Sequence, residues 1–165
     1  MTNSENRLNA TVVAKLITPA IQEIIHEDQG GFVPGRVGTT HVHNLTGSFY
    51  AALNKKQQSY VLLLDTARAF DTLSHKFIRL CLQRMGWADW FQNMIKALLS
   101  QVWVIPVLSC ATNHKINIQR GVKQGCPLSP LIFIICFDVL LHNLSTIEGL
   151  KKYGYADDLA LHTRS

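Results

Sequence analysis

Tyr60-Val61-Leu62-Leu63-Leu64-Asp65 is the stretch on which the fold turns. A short apolar run bounded by polar residues reads as a buried strand, and this one ends on a carboxylate. A charge closing a buried strand must be paired, solvated in a cleft, or bound to metal. A second acidic group, Asp157-Asp158, sits at a tight turn between two short strands, about 150–155 and 159–163. Adjacent carboxylates repel, and a cation relieves that repulsion. Side chains alternate along a strand, so only one of the pair shares the direction of Asp65 if the strands are neighbours. The reading favours Asp157 as the main partner and Asp158 as a looser contributor. Acidic oxygens on adjacent strand ends suit Mg²⁺, which keeps waters and accepts phosphate oxygens. Two such ions about 3.5–4 Å apart clamp the attacking and leaving oxygens of a phosphoryl displacement. Asp-Asp is also ordinary turn chemistry, so the pair alone does not decide the matter. Asp71 lies farther on and reads as a turn or cap residue.

Outward from these acids, strands and helices alternate with some hairpins, which indicates a mixed α/β (α+β) layer fold. Apolar spacing from Val12 to Ile25 predicts a helix, with Pro19 expected to kink or divide it. Residues 29–38 hold four glycines and Pro34 and read as a shaped loop. A helix over 39–55 follows. Ser74 reads as the N-cap of a helix ending at Gly86, and another helix spans about 87–99. Strands at 102–108 and 115–118 flank a turn at Thr112-Asn113. Residues 127–144 form a very apolar helix, opened by Pro127 and Pro130.

The chain has 165 residues, 47% of them hydrophobic and 16% charged, with net charge +5. That is one unit with ample apolar surface, which excludes disorder. The low charge is also consistent with apolar surface resting against a missing neighbour. The longest apolar run, Leu131–Phe137, has seven residues, far short of the roughly 18 a membrane span needs. The polar start Met1–Glu5 lacks an apolar signal core, so the chain is expected to be intracellular, in nucleus or cytoplasm. Cys81, Cys110, Cys126 and Cys136 show no zinc-like spacing and read as reduced thiols. His41 and His43 have no complement for a zinc set. Lys and Arg are scattered, which permits nucleic-acid binding without establishing it.

The acids sit within longer patterns. Leu64-Asp65-Thr66-Ala67-Arg68-Ala69-Phe70-Asp71 resembles the first palm motif of reverse transcriptases, and Tyr155-Ala156-Asp157-Asp158 matches their Y/F-x-D-D signature. Gly121-Val122-Lys123-Gln124-Gly125-Cys126-Pro127-Leu128-Ser129-Pro130 resembles their Gln-Gly motif. Gln29-Gly30-Gly31-Phe32-Val33-Pro34-Gly35-Arg36 resembles the Q-x-G-F-x-x-G-R block of non-LTR (LINE-type) retrotransposon and group II intron enzymes. The patterns occur in family order over residues 29–158, and their detail is closest to the non-LTR branch.

The resemblance implies a right-hand polymerase with an antiparallel palm sheet. Fingers would take about 1–58 and 74–122, and the palm about 59–73 and 123–165. The implied activity is RNA-directed DNA polymerisation, in which a primer 3′-hydroxyl attacks the α-phosphate of a dNTP on an RNA template. Asp65 and Asp157 would hold two Mg²⁺ ions, or Mn²⁺ in their place, with Asp158 assisting. Thr66, Ala69, Phe70, Gln124 and Gly125 would line the nucleotide pocket, with Phe70 as a steric gate against a 2′-hydroxyl. From periodicity alone, Phe70 reads as a core residue opening a helix. Lys123, Arg68 and Arg36 are assigned to nucleic acid or phosphate, and Arg36 equally suits an acid within the fingers.

The likeness is incomplete at both ends. The expected R-P-I stretch is missing upstream of Gln29, and the thumb is absent downstream. The chain therefore reads as a fragment of a longer polyprotein with weak or no processive synthesis. The alternatives are a catalytically silent nucleic-acid-binding remnant and a maturase-like relative.

Overall fold

A computed structural model describes residues 4–100, 103–106 and 115–164. Two helices, α1 (Ser4–Ile24) and α2 (Gly38–Asn54), precede the strand β1 (Ser59–Leu64). Next come α3 (Ala69–Thr72), α4 (His75–Arg84) and α5 (Asp89–Ser100), then a small antiparallel ladder of β2 (Trp103–Val104) and β3 (Ile116–Asn117). Helix α6 (Ser129–Leu144) leads into the hairpin of β4 (Lys151–Tyr155) and β5 (Asp158–Arg164). The expected turn at Thr112-Asn113 and Cys110 lie outside the described residues. Among those residues no helix is long and apolar enough to cross a membrane.

Helix α6 is the centre of the core. It is apolar on nearly every face, and Leu131 through Asp138 are all buried. A helix of that composition is stable only when surrounded. Around it gather Ile17 and Ile21 of α1, Ile78, Cys81 and Leu82 of α4, and Phe91, Ile95 and Leu99 of α5. Pro130 stands in its first turn, where a missing N–H costs nothing. Helix α1 runs through Pro19 as one element, so the expected division into two helices does not occur. Buried Ile17 and Ile21 anchor it on both sides of the proline. Ser74 precedes α4 as expected but makes no side-chain cap. It forms a bridge with Arg120, and the His75 amide donates to the Gln119 carbonyl. Gly86, with φ of +72°, follows α4.

The main sheet is antiparallel in the order β1-β5-β4, with Leu64 opposite Leu159 and Tyr155 opposite Asp158. β1 and β4 are thus parallel to each other with β5 between them. The expectation of a buried strand at 60–64 is corrected here. β1 is an edge strand, and Leu62 and Leu63 are 54% and 73% exposed. An apolar run is buried on both faces only where other layers cover it. Here α2 and α6 pack on the sheet at β4, and β1 touches chiefly β5.

The other edge is occupied. The Gly154 amide donates to the Asp28 carbonyl and the Gly30 amide to the Gly154 carbonyl, each at 2.7 Å. Gln29 thereby forms an isolated parallel bridge with Gly154, which covers the β4 edge at that residue. Buried charge fixes the same region. Asp138 of α6 accepts from the His26 amide at 2.7 Å, and Lys152 of β4 donates to Ser145 Oγ and to the Leu141 carbonyl and pairs with Asp28.

The packing there is close enough to test. A Cβ at Gly31 would stand 2.2 Å from the Ala156 amide nitrogen, whereas one at Gly47 on α2 meets nothing within 4 Å. Gly31→Ala is expected to lower unfolding free energy by about 1–3 kcal/mol through overpacking against backbone. Gly47→Ala, a helical glycine in open space, is expected to raise it by about 0.5–1 kcal/mol. Denaturant melts of the two variants check both signs.

Candidate active site

The sheet register brings the acids to one end. Leu64 pairs with Leu159, so Asp65, the next residue, falls across from Asp158. Asp65 and Asp158 line one cavity of about 530 Å³ together with Gly38, His41, Leu64 and Tyr155. Asp158, rather than Asp157, therefore stands across the ladder from Asp65. Ala156 and Asp157 form the two-residue turn of the hairpin. The Asp157 carbonyl accepts from Thr66 Oγ1 at 3.2 Å, which ties the exit of β1 to this turn.

Asp65 and Asp158 are exposed and Asp157 is half-buried. Among the described residues none of them is in a salt bridge. Nor do any three His, Cys, Asp or Glu side chains among those residues close into a metal-holding group. A hard, solvent-open set of carboxylate oxygens still fits Mg²⁺, which binds through one or two carboxylates, waters and substrate phosphates rather than in an all-protein cage.

The other candidate residues surround this end unevenly. Ala69 is buried at the start of α3 and follows Arg68, which is exposed and left-handed with φ of +51°. Phe70 stacks on Phe133 of α6, with ring centroids 4.8 Å apart, and meets the edge of Phe32 at 6.3 Å. It is half-buried, so the core role read from periodicity is real, and part of the ring remains open. The Val122 amide donates to the Phe70 carbonyl at 2.9 Å, which draws the Gln-Gly segment alongside α3. Gln124 and Gly125 are exposed in the turn before α6, and Gly125 has φ of +76° with open space where a Cβ would be. Lys123 is half-buried, and its carbonyl accepts from Ser129 Oγ at 2.7 Å.

Arg36 bonds backbone carbonyls and, among the described residues, pairs with no acid. Its Nη1 donates to the carbonyls of His26 and Gln29, and its Nη2 to those of Ile25 and Gln22. The guanidinium collects the carbonyls left over where α1 ends, which a planar fork does well.

Two residues at the site carried no role in the sequence reading. Gln29 is completely buried and its amide grips the Ala156 peptide. The signal was an amide side chain in a glycine-rich loop, which sequence cannot distinguish from an exposed turn residue. His41 is the other: it lines the cavity, and its ring leaves no room for a Cβ at Gly30.

The architecture is shared with a solved polymerase structure. Apo telomerase from Candida Tropicalis, truncated from its C-terminal domain, superposes with a TM-score of 0.67 over 96% of this chain and 34% of its own, at 13% identity. The fold is thus the fingers-and-palm arrangement of right-hand polymerases. The family profile described as reverse transcriptase (RNA-dependent DNA polymerase) matches residues 2–165, and the chain belongs to that family. A retrovirus-related Pol polyprotein from the type-1 retrotransposable element R2 of Popillia japonica is 35% identical over 94% of this chain and 23% of its own length. The RNA-directed DNA polymerase from mobile element jockey of Drosophila funebris is 26% identical over 96% of this chain and 17% of its own. The chain therefore spans less than a quarter of either relative.

Two imidazoles give the fold a pH dependence. Burial holds His41 below its ordinary value, with Asp28 opposing and Arg36 reinforcing. Burial likewise lowers His162, aided by Arg164 and Lys151. The unfolded chain binds protons that the folded chain refuses, so stability is complete above about pH 6.5 and declines as pH falls through that value. Denaturant midpoints measured from pH 8 to 5 are expected to drop on the acid side, and His41→Asn with His162→Asn to flatten that limb.

Proposed function

We propose that this chain is the catalytic core of an RNA-directed DNA polymerase of non-LTR retrotransposon type, transferring a dNTP to a primer 3′-hydroxyl. The observation that carries the reading is the gathering of Asp65 and the Asp157-Asp158 turn at one open end of the sheet, inside a reverse transcriptase fold. In this reading residues 59–73 and 123–165 form the palm and the rest form the fingers. The RNA template, the DNA primer and the remaining parts of a longer polyprotein, including a thumb, are its partners.

Asp65, Asp157 and Asp158 would hold two Mg²⁺ ions, with Mn²⁺ as a substitute. When bound, the ions supply charge neutralisation for the phosphates and acidity for the attacking hydroxyl. The protein's own contribution is positioning, the main source of catalysis in phosphoryl transfer. Thr66 ties the strand bearing Asp65 to the turn bearing Asp157. Ala69 and Phe70 form the floor under the sugar, with Phe70 braced on Phe133 so that its ring cannot yield to a 2′-hydroxyl. Gln124 and Gly125 offer an exposed, side-chain-poor edge to base and sugar. Arg68 and Lys123 are the cations nearest these elements in the chain and are placed on phosphates.

The test is single-nucleotide addition to a primer on RNA template with Mg²⁺, which asks less of the protein than processive synthesis. Asp157→Ala is expected to cut addition by about 10²–10³-fold while leaving template-primer binding in place. Phe70→Ala is expected to narrow the preference for dNTP over rNTP. Addition that survives Asp157→Ala would overturn the assignment.

A further inference from the structure

The turn that carries Asp157 is strained. Ala156 has φ of +57°, a region where a side-chain-bearing residue is uncommon and where hairpin turns normally use glycine or asparagine. Such conformations persist only when their surroundings over-determine them. Here the polar atoms of Ala156 itself are met by one side chain. Gln29 Oε1 accepts from the Ala156 amide at 2.9 Å and from the Gly31 amide at 2.9 Å, and Gln29 Nε2 donates to the Ala156 carbonyl at 3.1 Å. Both polar ends of residue 156 are thus held by a single primary amide, whose planar geometry fixes their relative orientation.

The gripping residue is itself immobilised. Gln29 is fully buried, its carbonyl accepts from Arg36 Nη1, and its backbone is bridged to Gly154. Gly31 allows the approach, because no Cβ fits against the Ala156 amide. Gly38 does the same on the other side, where a Cβ would stand 2.8 Å from the Tyr155 ring.

We propose that Gln29 is a positioning residue for the metal-binding turn: its amide holds Ala156 in the left-handed conformation and so presets where Asp157 and Asp158 project. This rests on the reading of the acids given above. Without the clamp the turn relaxes, and a bound cation must reorder it, which weakens affinity without removing a ligand.

The probe is Mn²⁺, titrated into the 165-residue chain and followed by the spin-resonance signal of the free ion, with amide exchange at Ala156 as a second readout. Gln29→Met keeps the volume and removes all the clamp's hydrogen bonds. It is expected to weaken Mn²⁺ binding by about tenfold and to expose the Ala156 amide to exchange. Adding Ala156→Gly to that variant is expected to restore much of the affinity, since glycine adopts the positive φ unaided. A residue that merely fills the core would not be rescued by a change at 156. Gln29→Asn keeps a neutral amide but is shorter by one methylene, so it cannot hold both ends of residue 156. It is expected to bind Mn²⁺ more weakly than wild type, and it decides the matter should Gln29→Met fail to fold. If Asp157→Ala abolishes binding while the Gln29 variants bind like wild type, the clamp is wrong and the acid site stands. If neither Asp157→Ala nor the Gln29 variants change binding, both readings fall.

Discussion

The amide and carbonyl of Gly154 are both held by the loop that follows α1, and the placing of the acid-bearing hairpin depends on that contact. The bonds to Asp28 and Gly30 pin an irregular segment to the edge of β4 at one residue. Because β4 continues into the turn at 156–157, whatever fixes the loop fixes the acids. The loop is fixed by charge placed where water is scarce: Arg36 on the carbonyls at the end of α1, Asp138 on the His26 amide, Lys152 between Asp28 and α6. Removing one partner from such a set costs far more than the set contributes in total, since it leaves a buried charge unmatched. The result is a polar join between helix α1, the central helix α6 and the hairpin.

Within that join, Ser145, His26 and Asp28 follow one another as hydroxyl, imidazole and carboxylate, with Ser145 Oγ 3.0 Å from His26 Nε2. Their hydrogen bonds show a structural set and not a nucleophile. The Asp28 amide donates to His26 Nδ1 at 3.2 Å, and Lys152 Nζ stands 3.4 Å from His26 Nε2. Ser145 meanwhile donates to the Leu141 carbonyl and lies against Lys152.

Much of this was legible in the residues. Apolar run lengths located β1, α6 and the hairpin to within a residue or two, and proline and glycine marked where α6 begins and α4 stops. The alternation argument allowed only one of Asp157 and Asp158 to face Asp65 and took Asp157, whereas the register sets Asp158 across from it. The choice depends on pairing register, and a shift of one residue exchanges the faces. Burial of β1 was misread for a related reason: an apolar run states what a strand is suited to, not what covers it. Arg36 and Gln29 were opaque because their partners are carbonyls and amides, which every residue carries. Only the folded backbone tells which of them lack a partner.

The two borders of the sheet differ in a way that governs how this chain behaves in company. The β4 side is closed by the loop and flanked by Lys151 and Lys152. The β1 side presents Val61 through Leu64 with no charge, proline or bulge among them. A bare edge of that composition is a template for further strands, the situation most folds avoid. Added polypeptide can extend the sheet at this border without disturbing the acids at its end. The same border is the place where strands of two copies would pair edge to edge if nothing else covers it.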